Sequence, residues 1–78
     1  MTQFEKLALR LANESTGSAL ADVERLLAGH GWQRTQGKGS HLVFKKPGLR
    51  PITIATLHGR RVKRVYVVDV LKRLTVQE

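Results

Sequence analysis

QGKGSHLVFKKPG, Gln36–Gly48, reads as a turn followed by a strand and a second turn. Apolar and polar residues alternate from His41 to Lys45, the period-two signature of a strand with one buried face. Leu42 and Phe44 share the inner face and His41, Val43 and Lys45 the outer one. Working outward, the same period runs from Trp32 to Thr56. Gly37–Gly39 and PGLRP, Pro47–Pro51, cut it into three strands near 32–36, 41–46 and 51–56, because these residues fix or free φ as turns require.

Helical periodicity brackets the strands. TQFEKLALRLANE, Thr2–Glu14, opens with a capping-box pair, Thr2 and Glu5, and carries Phe4, Leu7, Ala8 and Leu11 as a stripe, which predicts a helix over 3–14. STGS, Ser15–Ser18, interrupts it and offers Ser18 as the cap of a second helix over 19–30, with Leu20, Val23, Leu26 and Leu27 on one face and Gly31 as its stop. Trp32 then anchors helix to strand by the area of its ring, or offers a platform to a nucleobase. The last element mixes signals: VKRVYVV, Val62–Val68, is β-branched, yet Val67, Val70, Leu71 and Leu74 fall on one helical face, and the expectation is a helix over 66–74. The sum is an α+β fold: a three-stranded antiparallel sheet with helices packed on one face, plus an extra N-terminal helix. Residues 1–17 form a helical extension in this reading, and 18–78 the main domain.

A chain of 78 residues buries about 60% of its unfolded surface, so any site lies at the surface of one small core. Fourteen Lys and Arg face six Asp and Glu, a net charge of +8, and no acidic residue occurs between Glu24 and Asp69. A one-sign field of this kind suits a polyanion such as nucleic acid; an acidic protein or a merely solvated basic surface satisfies it too. The absence of cysteine excludes disulfides and thiolate zinc, and three scattered histidines predict neither a protein-built metal site nor a cofactor. Glu5, Lys6 and Arg10 interrupt any signal-peptide core, and no apolar run approaches a membrane span, so the expected location is the cytoplasm.

The chemistry concentrates around His41. A glycine-flanked turn lets backbone N–H groups approach a phosphate, and Lys38, Gly39 and Ser40 stand in that turn. Histidine is the side chain suited to proton transfer near neutral pH, as RNA cleavage through the 2′-hydroxyl demands, and Lys38 or Lys45 would meet the charge building on phosphate. No Walker loop is present, since Lys38 is not followed by Ser or Thr and the turn leads into a strand. Arg60 and Arg61 begin a basic run that tracks phosphates or simply solvates a loop. His58 in LHGRR reads foremost as a turn histidine, and His30 as a residue favoured by the helix dipole.

A helix ending in GHGW (Gly29–Trp32), then a strand, KGSH (Lys38–His41), alternating apolar residues, a proline-bearing turn, ITI (Ile52–Ile54) and a basic amphipathic close resembles the HicA family, small toxins of bacterial toxin–antitoxin pairs. The likeness covers about residues 18–74. It departs where the family tends to follow its third strand with proline and a nearby histidine, against IATLHG here, and in Tyr66-Val67 where threonine-leucine is usual. The resemblance implies a double-stranded-RNA-binding-domain-like fold, a metal-independent ribonuclease acting on mRNA with His41 at the catalytic position, and a HicB-type antitoxin that blocks the site. The rival reading is a non-catalytic RNA or DNA binder on the same scaffold.

Overall fold

The computed structural model describes residues 2–35 and 39–77. In chain order it contains α1 (Gln3–Asn13), β1 (Ser18–Ala19), α2 (Leu20–Gly29), β2 (Gln33–Thr35), β3 (His41–Lys45), β4 (Ile52–Leu57), β5 (Arg61–Val62) and α3 (Arg64–Gln77). The helix stops and starts follow local chemistry. Thr2 Oγ1 accepts from Glu5 N–H at 3.1 Å while Glu5 reaches back to the Thr2 N–H, completing the predicted capping box of α1. At the end of α2, Gly31 takes φ +88°, its N–H meets Ala28 O and the Trp32 N–H meets Leu27 O, a Schellman closure that glycine makes accessible.

The sheet is antiparallel and α+β in class, but it has five strands, not three, in the order β1-β5-β4-β3-β2. The two additional strands are two residues each, too short for any hydrophobic period to register. β5 pairs with the end of β4 (Thr56 with Val62, Leu57 with Arg61), and β1 pairs with β5 (Ser18 with Val62, Ala19 with Arg61). Ser18 is therefore a strand residue and not the expected helix cap: its Oγ is buried without a partner among the described residues. The Leu20 N–H is satisfied instead by Arg60 O at 2.8 Å. α3 begins two residues before the predicted start, with the Tyr66 and Val67 N–H groups both bonded to Lys63 O.

The three corners use left-handed backbone in different ways. Leu49 N–H bonds Lys46 O across Pro47-Gly48, with Gly48 at φ +82°, as a type II turn with proline at its second position requires. His58 and Gly59 both have positive φ, +53° and +69°, the pattern of a type I′ hairpin turn. Gly39, at φ +60°, ends the corner before β3, and the rest of that predicted turn, Gly37 and Lys38, lies outside the described residues.

Leu7 and Leu11 of α1, four residues of α2, Trp32, Phe44, Ile52, Ile54, Val62 and the α3 stripe Val67, Val70 and Leu74 form one core cluster. The predicted alternation in β3 holds: Phe44 is buried, Leu42 packs against the core, and His41 and Lys45 are exposed. Trp32 is 3% exposed, which leaves no ring face for a nucleobase. Its ring lies 5.6 Å beneath the Arg73 guanidinium, which also donates to the carbonyls of Arg50 and Pro51 and so ties α3 to the second turn.

Candidate functional site

His41 is the first residue of β3, paired with Ala55 of β4. Directly opposed residues share a face, so His41, Ala55, Leu57 and Arg61 look out from the side of the sheet away from the core. Leu57, at 42% exposure, is an apolar residue standing in water beside this basic ground. His58 follows it in the hairpin, at the same end of the sheet as His41. Its positive φ is accounted for by the turn, in keeping with the reading of it as a turn histidine.

The peptide before His41 is held firmly. Ser40 O accepts the Thr56 N–H at 2.9 Å and the Thr56 Oγ1–H at 3.1 Å, two donors from one residue converging on one carbonyl. Gly39 and Ser40 are themselves exposed, and a Cβ added at Gly39 would meet nothing within 4 Å. Position 39 thus needs glycine for its φ and not for space. Lys38, the remaining cradle residue, lies outside the described residues. Lys45 shares the outer face with His41 but sits four residues further along β3, about 13 Å at strand rise, so it is set apart from the histidine.

The basic run divides into two kinds of residue. Arg61 Nη2 donates to Gly17 O at 3.1 Å, and Arg64 Nη1 donates to Ala12 O and Glu14 O at 3.1 and 2.9 Å. These guanidiniums clasp the chain leaving α1, supplying donors to carbonyls at the end of the helix and in the segment just beyond it. Arg60 and Lys63 keep exposed side chains. Elsewhere Arg10 pairs with Asp22 at 2.6 Å and Arg34 with Glu24 at 2.7 Å, so the uniform field implied by composition is partly spent inside the molecule.

Sequence reading missed Thr56, Gly17 and Arg73. Thr56 carried a usable signal: it occupies an inward position of the alternating ITIAT stretch, where a buried hydroxyl needs a partner. Gly17 did not, because the backbone it abuts, Val62 O, is distant in sequence. Among the described residues no group of three or more His, Asp or Glu is arranged to hold a metal ion, and no helix is long and apolar enough to cross a membrane.

No curated protein and no solved structure matches the chain. The sequence model of the HicA toxin of bacterial toxin–antitoxin systems does match, over residues 20–76, taking in α2, β2 to β5 and nearly all of α3 while leaving α1 and β1 outside. With the match running through the whole span that carries His41, the sheet corners and the closing helix, the chain belongs to the HicA family of toxins.

Proposed function

We propose that this toxin is an endoribonuclease that cleaves mRNA at the open face of its sheet, with His41 as the proton-transfer group. The observation that carries the reading is an exposed histidine rooted on a doubly bonded carbonyl and preceded by a glycine-opened turn. In the reaction the 2′-oxygen attacks the adjacent phosphorus as the bond to the 5′-oxygen breaks, leaving a 2′,3′-cyclic phosphate and a 5′-hydroxyl. His41 either takes the proton from the 2′-hydroxyl or gives one to the departing 5′-oxygen. The exposed donors of Gly39 and Ser40, with Lys38, would face the phosphate, and Lys45, Arg60 and Arg61 would hold the strand to either side. Arg61 has this role only with the donors its bond to Gly17 O leaves over. Transesterification of this kind needs no protein-bound metal.

Residues 18–78 are the unit to which we ascribe the double-stranded-RNA-binding-domain-like core, with 1–17 added to it. Family membership implies an antitoxin partner. A HicB-type antitoxin carrying acidic groups would be drawn to the basic face and would silence the toxin by covering His41, with Leu57 beside it as an apolar contact.

The test is incubation of the protein and its His41→Ala variant with a long single-stranded RNA in EDTA, reading fragments and end groups. Fragments ending in cyclic phosphate from the parent alone are expected. Intact RNA in both reactions, with salt-sensitive retention of the strand, would replace the enzyme with a binding module.

A further inference from the structure

We infer that Thr56 is the positioning residue for His41, a role that rests on the ribonuclease reading for its catalytic meaning but not for its geometry. Thr56 is one of two buried polar residues among those described, at 8% exposure. Its register neighbours on β4 that also point inward, Ile52 and Ile54, are aliphatic, so a hydroxyl here is chemically out of place unless its bond does something. That bond goes to Ser40 O, which the Thr56 N–H already occupies. A carbonyl has two lone pairs, and one ladder N–H is all that sheet pairing asks of it. The second donor therefore fixes the plane of the Ser40–His41 peptide more tightly than the sheet alone would.

This matters because the clamp acts on the residue immediately before β3, where its pairing with β4 begins. Beyond Ser40 the chain leaves the sheet into the turn at Gly39, whose surroundings are open. A histidine at a strand end would otherwise fray with the turn. Since the peptide is planar and trans, holding Ser40 C=O toward β4 also directs the His41 N–H away from β4 and sets the Cα–Cβ vector from which the imidazole projects on the outer face. Thr56 itself points to the core and touches no substrate, so it acts only through His41.

Thr56→Val and Thr56→Ser separate this role from packing. Valine keeps the shape and the backbone N–H but removes the hydroxyl; serine keeps the hydroxyl and gives up a methyl. Cleavage kinetics should show kcat reduced about tenfold in Thr56→Val with KM unchanged, as expected for a loosened reacting group, and within about twofold of parent in Thr56→Ser. The midpoint of urea unfolding should not fall in Thr56→Val in step with kcat. In parallel, the imidazole proton resonances of His41 should shift or broaden in Thr56→Val and return in Thr56→Ser. Unmoved His41 resonances, a parental kcat in Thr56→Val, or a Thr56→Ser variant as slow as Thr56→Val would each overturn the positioning role. His41→Ala cleaving at the parental rate would instead overturn His41 as the proton-transfer group, and RNA left intact by the parent protein would overturn the ribonuclease reading; either result leaves the resonance measurement to decide the geometry by itself.

Discussion

Replacing Gly17 with alanine should be among the most damaging single-methyl additions available to this chain. A Cβ at Gly17 would stand 2.3 Å from Val62 O and 3.3 Å from Arg64 N, both backbone atoms, and the residue has φ +109°. Gly48 provides the internal control: its φ is +82°, yet a Cβ there meets nothing within 4 Å. Left-handed backbone costs an alanine about 1–2 kcal/mol, offset by about 0.4–1 kcal/mol from a stiffer unfolded chain, so Gly48→Ala should lose about 1 kcal/mol. Gly17→Ala carries the same backbone term plus the clash. Relief requires β1 to move off β5, and giving up two backbone hydrogen bonds there adds about 2 kcal/mol, for a total of about 3 kcal/mol. Against the roughly 4–12 kcal/mol expected of a domain this size, that is a large share. In urea titrations followed by the fluorescence of Trp32, with a slope of about 1 kcal/mol per molar, the midpoint should fall by about 3 M for Gly17→Ala and about 1 M for Gly48→Ala. Equal shifts in the two variants would refute the close approach of Gly17 to β5.

Removing the Arg64 clasp with Arg64→Met should cost about 1–2 kcal/mol and speed amide exchange across residues 12–17, measured by hydrogen–deuterium exchange, while α2 remains protected. Arg60→Gln combined with Lys63→Gln should leave stability within about 0.5 kcal/mol and lower the slope of log K against log salt for single-stranded RNA by about 1.4, as expected for two lost phosphate contacts. Arg73→Met should destabilise by about 1–2 kcal/mol and change the emission of Trp32, because it removes both the bonds to the second turn and the cation over the indole.

The elements that sequence revealed are those whose cause is local. Thr2 and Glu5 are three residues apart and cap each other, and Val67, Val70 and Leu74 face the core because helical spacing alone aligns them. His41 could be placed on the outer face for the same reason, since its neighbours Leu42 and Phe44 alternate with it. What escaped depends on partners far along the chain. Ser18 precedes a helix and looks like a cap, but pairing with Val62 takes the residue first. The arginines at 61 and 64 look the same in sequence whether they meet phosphate or carbonyl oxygen, because backbone acceptors leave no mark on composition. Of the site, the histidine was legible; the carbonyl that holds it and the threonine behind it required the register of β3 against β4.

The clasp between the two ends of the domain also imposes an order on synthesis. The long-range partners of residues 12–20, the Arg60 carbonyl, Val62 and the guanidiniums of Arg61 and Arg64, are all made some forty to fifty residues after them. A nascent chain that has already released His41 still has β1 without a neighbour and α1 without the stripe of α3. Closure of the sheet thus waits for β5 and the start of α3, and a translation arrest before Arg60 would leave a toxin gene with an unfinished fold as its product.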